Sequence, residues 1–430
     1  MPILSLAKMT RRPARWAVVC VIALAIPGSY LFSATRSNSA AAGEAGQGNA
    51  GPAAAQQSPF AALNPRLKAL PPAASEGTTF AQFTDNRPLD LSRSGGRVGF
   101  VWGGKARGPW SAGSLYYPLD RDMNRGHTAE WYAQNAPERV VYECDRKTPA
   151  ALFTYSWGYY VPLDTSNPAV RQYILDAYVL PALDSGEKII ALDNVNLRNT
   201  GRRCGVFRGG QWVQLYAGGG EDPAYASGVL AWVGWLADQI HARGGLLALN
   251  AKVDRDNVPA TRKLIQLGDI WLDEAAFTHD CDARASGDAW QVKMELSQWA
   301  AARMPWVSLD KSCASPADLT DDEAQWVVAN FLLAKGPQSY LGVFHDGDRG
   351  VLRYPASLNP PIGVPTGAAF AIPGGGMARR FSTGLVVVNP SSAAPLRYVL
   401  PAGSWKALNG APVSGAITLG TTSAAVLLTQ

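Results

Sequence analysis

Several signatures that would name a chemistry outright are missing from this chain of 430 residues. No C-x-x-C pair occurs, which argues against a zinc site. G-x-S-x-G and G-x-x-x-x-G-K-[ST] are both absent, so a serine-hydrolase elbow and a phosphate-binding P-loop find no support. The Gly-rich stretch from Gly103 to Gly113 is not followed by a helix opening with G-x-G-x-x-G, so it is no dinucleotide fingerprint. There is no basic patch interleaved with aromatics. The net charge of +5 owes part of its excess to Lys8, Arg11, Arg12 and Arg15, and nucleic acid is not an expected partner. No repeat of 20–50 residues is visible, which excludes a solenoid. Nothing in these patterns calls for a cofactor.

What is present begins with a targeting segment. The four basic residues precede an apolar run from Trp16 to Phe32. It reads as a signal peptide or an N-terminal membrane anchor over residues 1–33, with a small-x-small cleavage motif at Ser37-Asn38-Ser39-Ala40. Either way the rest of the chain is expected outside the cytoplasm: periplasmic, extracellular, or held at the inner membrane by residues 16–32. Residues 34–78 are rich in Ala, Gly, Gln, Ser and Pro and read as a disordered linker, because such a composition buries too little apolar area to offset chain entropy. Of the five cysteines, Cys20 lies in the apolar run. Cys144, Cys204, Cys281 and Cys313 form an even set in an exported chain, suggesting two disulfides with three pairings open.

Beyond the linker, strand-length apolar runs alternate with helix-period segments. Strands are expected at 97–102, 139–143, 150–155, 188–193, 246–250, 270–273, 306–310 and 339–344. Helices are expected near 128–134, from the Asn167-Pro168 cap to Gly186, and over Val229 to Ile240, 259–267, 289–302 and 321–334. Eight strands in about 250 residues is the rhythm of an α/β (β/α)8 TIM barrel, placed at 79–360, with a doubly wound open sheet as the runner-up. Residues 361–430 switch to short strands and turns such as Asn409-Gly410, the pattern of a small antiparallel β-sandwich.

The chemistry is expected where buried strands end in polar groups. Ile189 to Leu192 runs into Asp193 and Asn194, Leu246 to Leu249 into Asn250, and Ile270 to Leu272 into Asp273 and Glu274. A parallel strand covered on both faces needs no carboxylate at its C-terminal end, yet that end of a barrel is where active sites lie. Two carboxylates across a cleft are what glycosidic bond cleavage needs. Asp193 and Glu274 are therefore the expected catalytic pair. Neighbours alternate sides along a strand, so one of Asp273 and Glu274 faces the lumen, and the sequence leaves open which. Trp102, Asp145, Trp157, Asn194, Asn250, Asp273, Asp310 and His345 are candidate sugar contacts. The four exported cysteines all follow expected strand ends, so Cys281–Cys313 would join neighbouring loops and Cys144–Cys204 would be the other pair.

Tyr142-Glu143-Cys144-Asp145, the stretch from Pro162 to Arg171 and Ile190 to Val195 resemble the hypothetical glycoside hydrolase barrels akin to the endo-α-1,4-polygalactosaminidases of glycoside hydrolase family 114. Arg379 to Pro390 resembles the start of the β-sandwich that trails such barrels. The likeness covers most of residues 97–430. It implies the strand-four Asp as nucleophile and a strand-six Glu as acid/base, which fall on Asp193 and Glu274. The expected function is cofactor-free, retaining cleavage of a polysaccharide, such as an exopolysaccharide. The alternative is a silent barrel that binds exopolysaccharide during export or assembly.

Overall fold

The lumen of this protein is built from alternate residues of short parallel strands. Ile189 and Ala191, Leu246 and Ala248, Ile270 and Leu272, and Val307 and Leu309 pack into one inner cluster, while their neighbours Ile190, Leu247, Trp271 and Trp306 join the cluster beneath the helices. Both faces are buried, which is why these strands read as continuous apolar runs. The computed structural model describes residues 58–430 except 84–96, 105–111, 119–120, 123–128, 151–153, 156–157, 160, 280–282, 314, 316–317 and 346–353. The targeting segment, Trp157 and Cys281 lie outside the described residues. No helix among the described residues is long and apolar enough to cross a membrane.

The strands are β1 (Phe80–Phe83), β2 (Val98–Trp102), β3 (Ala112–Gly113 and Leu115–Pro118), β4 (Ile189–Val195), β5 (Leu246–Ala251), β6 (Ile270–Glu274), β7 (Trp306–Lys311) and β8 (Ser339–Phe344). The two pieces of β3 share the work of closure: the first pairs with β2 and the second with β4. Phe80 pairs with Leu341, so β1 meets β8 and the parallel barrel closes.

Eight barrel strands were expected and eight are found among the described residues; the strand expected at 97–102 is β2, but the next two expected strands differ. Residues 139–143 are not a barrel strand, and of the run expected at 150–155 residues 151–153 lie outside the described residues. Val140 and Tyr142 form only isolated bridges, and Thr154–Tyr155 pairs with Gly158–Tyr159 in a small hairpin. Val141 and Ala150 bury instead against Val206 in a satellite cluster, which satisfies the same apolar residues away from the barrel. The true first and third strands were hidden by shortness: β1 is Phe-Ala-Gln-Phe, and β3 ends in Pro118.

The helices are α1 (Ala129–Asn135), α2 (Pro168–Ile174), α3 (Leu180–Asp184), α4 (Pro223–His241), α5 (Val258–Ile265), α6 (Gly287–Ala301) and α7 (Asp321–Ala334). Asn167 caps α2 through the Ala169 N–H, as the Asn-Pro signal implied. A π turn at Leu175–Val179 joins α2 to α3 just before Pro181, which has no N–H to continue the α ladder. Val229, Trp232, Val233, Leu236 and Ile240 of α4 are all buried, the face its period predicted. Thr320 and Glu323 form a capping box at α7.

The linker expected over 34–78 gives way to packed structure by Ser58. Phe60, Leu67 and Leu70 are buried with the lumen cluster, at the end where the strands begin. Lys335 donates to the carbonyls of Ser75 (2.9 Å) and Gly77 (2.7 Å), tying this segment to the end of α7. The composition is linker-like, but three large apolar side chains suffice to plug a barrel mouth.

After β8 the chain forms β9 (Phe370–Ile372), β10 (Gly376–Phe381), β11 (Gly384–Asn389), β12 (Leu396–Val399), β13 (Trp405–Ala407), β14 (Pro412–Val413), β15 (Ala416–Leu419) and β16 (Ser423–Thr429). One antiparallel sheet runs β9-β10-β11-β16-β13-β14, and β12 pairs with β15. Leu385, Val387, Ala425 and Leu427 face a core with Leu396 and Leu419, while Val386, Val388, Val426 and Leu428 join the cluster that contains α7. The sandwich is thus welded to the barrel's outer layer by the alternation of two strands.

Candidate active site

At the C-terminal end of the barrel, the lumen-facing alternation brings Asp193 of β4, Asn250 of β5, Glu274 of β6 and Lys311 of β7 side by side. Asn250 is the hinge of the arrangement. Its Nδ2 donates to Asp193 Oδ1 (2.7 Å) and to Glu274 Oε2 (2.6 Å). Both carboxylate oxygens lie within 2.7 Å of one nitrogen, so they are separated by less than about 5.4 Å, twice that distance. Asn194 Nδ2 donates to the other oxygen of Asp193 (2.8 Å), and Lys311 Nζ stands 2.8 Å from Glu274 Oε1.

Local backbone irregularity produces this convergence. Leu192 pairs with Leu249 but Val195 pairs with Ala251, so Asp193 and Asn194 together oppose the single residue Asn250. That is a β-bulge, a device that re-aims side chains at a strand end. Asn194 takes the left-handed φ of 59° that it requires. Ala275, directly after Glu274, has φ 60°. A non-glycine residue held there stores about 1–2 kcal/mol, and each candidate carboxylate is followed by one.

Electrostatics favours the ionised form of Glu274. Burial pushes its carboxyl up, but the charge and hydrogen bond of Lys311, the Asn250 donation and the charge of Lys252 bring it below its ordinary value. Across the lumen β8, β1 and β2 end in aromatics. Phe83 lies parallel to Trp102 with centroids 6.1 Å apart and meets Phe344 edge-on at 5.1 Å. One wall of the site is charged and the other is aromatic.

The alternation left open by the sequence is resolved in favour of Glu274. Asp273 points to the helix layer, where Lys293 of α6 donates to its Oδ1 (3.3 Å) and to the Ala275 carbonyl (2.7 Å). Asp310 points the same way; it accepts the Phe277 N–H (3.0 Å) and the Ser308 hydroxyl (3.2 Å). Burial raises both acids, Asp310 to about 7. Neither is a sugar contact, which corrects the expectation for both; in β7 the lumen position belongs to Lys311. Asp145 is also corrected. It is exposed in a turn, bonded to Thr148 and the N–H of Lys147, because the strand it was expected to end does not exist. Trp102 lies in the lumen as expected but is 1% exposed, so it forms floor rather than platform. Asn194 supports Asp193, and His345 is half-buried just past β8.

Cys144 and Cys204 are bonded, tying the excursion before β4 to the loop after it. Cys313 is also disulfide-bonded, and its expected partner Cys281 lies outside the described residues. Arg198 in the loop after β4 reaches Glu221 (2.8 Å), Asp254 (3.3 Å) and Asp256 (2.6 Å), so it bridges the loops after β4 and β5. The sequence reading missed the aromatics Phe83 and Phe344 as site residues. The clue was a short Phe-x-x-Phe run that no periodicity argument picks up. Among the described residues no group of three His, Cys, Asp or Glu side chains is placed to hold a metal ion. A cavity of about 480 Å³ lies elsewhere, lined by Pro59, Pro72, Lys335 and Arg379. Its two cations are bonded to backbone carbonyls, and no acidic side chain lines it.

No family model and no curated protein matches this chain. Among solved structures, an alpha-amylase from Geobacillus thermoleovorans complexed with acarbose is similar over 82% of this chain and 98% of its own, at 10% identity and a TM-score of 0.38. An isomaltulose synthase from Erwinia rhapontici NX5 is similar over 82% and 98%, at 11% identity and 0.41. An alpha-amylase from Malbranchea cinnamomea is similar over 82% and 96%, at 10% identity and 0.43. These likenesses are distant and bring no residue role, substrate or activity to this chain.

Proposed function

We propose that this protein is an exported glycoside hydrolase, of the polygalactosaminidase-like barrel type in its reaction but not by necessity in its sugar, that cleaves a polysaccharide with retention. The observation that carries the reading is the Asn250 bridge. It holds one oxygen of each carboxylate, on the strands either side of β5, closer than about 5.4 Å to the other, too close to leave room for an intervening water. Retaining enzymes space their pair about 5–5.5 Å apart, whereas inverting ones leave about 6.5–9.5 Å for a water.

In the proposed sequence Asp193, held in place by the Asn250 and Asn194 amide donors, attacks the anomeric carbon. The glycosidic C–O bond breaks as Glu274, in its protonated form, gives its proton to the leaving oxygen. Glu274 then takes a proton from water, whose oxygen displaces Asp193 and releases the sugar. The partly exposed rings of Phe83 and Phe344, with Trp102 buried beneath them, offer apolar surface to a sugar ring.

The resting charge of Glu274 favours one other reading. With Lys311 on one oxygen and Asn250 on the other, it is not poised as an acid. A barrel that binds exopolysaccharide without cleaving it would tolerate that state. Reducing-end release from a panel of bacterial exopolysaccharides, galactosaminogalactan included, separates the two. The hydrolase reading expects turnover by the parent and a loss of about 100-fold or more in both Asp193→Asn and Glu274→Gln. Binding that survives in both variants with no turnover on any polymer supports the binding barrel instead.

A further inference from the structure

Glu274 is a proton donor only when it holds a proton, and both of its oxygens are occupied by N–H donors. Lys311 Nζ stands at 2.8 Å from one and Asn250 Nδ2 at 2.6 Å from the other. The charged groups that face it are Asp193 from β4, Lys252 beyond β5 and Lys311 from β7; Asp273 lies on the opposite side of β6. Each oxygen keeps a lone pair for a proton, but the donors, and above all the Lys311 ammonium, favour the ionised form, so Glu274 is armed when one of them moves away.

Asn250 is fixed, being 1% exposed and committed to both carboxylates. Lys311 is the last residue of β7, and its side chain is 30% exposed on a flexible four-carbon stem. It is the donor that can move. A sugar hydroxyl is a weak competitor for an ammonium that already holds a carboxylate. A second anion is a strong one, because charge-assisted bonds are roughly twice as strong as neutral ones.

We infer that the substrate carries an anionic group, a carboxylate or a sulfate ester, beside the scissile bond, and that this group draws Lys311 away from Glu274. The inference rests on the hydrolase reading above. The exchange couples recognition to chemistry. Removing the cation from Glu274 and placing a second negative charge nearby both favour the protonated carboxyl, which takes its proton from solvent. The acid is then armed when the correct substrate is bound, and exposed Lys252 supplies a second cation on the same rim. A neutral polymer would fill the site and leave Glu274 ionised.

The test uses the full chain and matched polymers. Polygalacturonate and alginate are compared with their carboxyl-reduced forms, and a sulfated galactan with its desulfated form, which separates carboxylate from sulfate. The expected result is kcat/KM at least about 10-fold higher on the anionic member of one pair, a ratio that collapses toward one in Lys311→Met and is kept in Lys311→Arg. Calorimetry of anionic oligosaccharide binding to Asp193→Asn, in two buffers of different ionisation enthalpy near neutral pH, should show net proton uptake. The reduced oligosaccharide should show none. Equal turnover of charged and neutral partners, or a preference that survives in Lys311→Met, overturns this inference and leaves the hydrolase reading intact. Proton-coupled binding of the anionic polymers with no turnover of any polymer overturns the hydrolase reading and leaves Lys311 as the anion contact. Neither binding nor turnover of any polymer overturns both.

Discussion

Replacing Asp310 by Asn should make the protein more stable at neutral pH. Asp310 is fully buried between β7 and the turn after β6, with Asp273 and Lys293 as its charged neighbours. One lysine faces two buried acids, so one acid is left without a compensating charge, and burial keeps the proton on Asp310 up to about 7 from an ordinary 3.8. An unfolded chain gives that proton up near 3.8, so between there and about 7 the folded protein binds more protons. Its stability therefore falls as pH rises through this window and is level above it. About three pH units at 1.36 kcal/mol each come to roughly 4 kcal/mol. Asn has the shape of the neutral acid. Its oxygen can accept the Phe277 N–H and its NH2 can donate to Ser308, and it does not titrate. Urea denaturation of parent and Asp310→Asn between pH 5 and pH 8 is the assay. The variant should gain on the parent as pH rises, by up to roughly 4 kcal/mol at pH 8. A difference that does not grow with pH, or a variant less stable than the parent at pH 8, refutes the reasoning.

Other consequences are simpler to read. Lys293→Met leaves Asp273 buried without its cation and should cost about 3 kcal/mol at neutral pH; the loss should shrink in acid, where the raised carboxyl of Asp273 is protonated, and a pH-independent loss would contradict the pairing. Phe60→Ala should cost about 3–4 kcal/mol in urea denaturation, because the ring is 3% exposed in the lumen cluster; an unchanged midpoint would return this segment to the linker. Ala275→Gly relieves a left-handed residue worth about 1–2 kcal/mol against an unfolded-chain entropy of about 0.4–1. A gain of about 0.5 kcal/mol is expected, and a destabilised variant would mean that the turn is not strained.

Sequence reasoning saw the second half of the barrel well because its strands are long, apolar and bounded by helices of clear period. The strands ending in Asp193, Asn250, Glu274 and Lys311 all stand where their patterns put them. The first half was harder for a physical reason. Its β1 is four residues long and its β3 is interrupted, and the apolar Val141 and Ala150 are used in a local cluster instead. The errors cancelled in number, so Asp193 kept its place on the fourth strand. Within the site, pattern located the strand ends but not the side of the strand. The choice of Glu274 over Asp273 and of Lys311 over Asp310 depends on phase relative to the lumen, and the bulge at Asn194 depends on a register that no one-dimensional pattern carries. The bridging role of Asn250 could be suspected from its position between two acidic strand ends, but only the structure shows one nitrogen serving both.

The most direct measurement is time-resolved proton NMR of hydrolysis by the full chain, run on the best substrate of the polymer panel, with Asp193→Asn and Glu274→Gln beside the parent. The first-formed reducing end should have the same anomeric configuration as the bond cleaved, before mutarotation blurs it, and both variants should lose that signal by about 100-fold or more. An inverted first product, or full-rate release by either variant, would contradict the claim that these two carboxylates, bridged by Asn250, cleave the bond by retention.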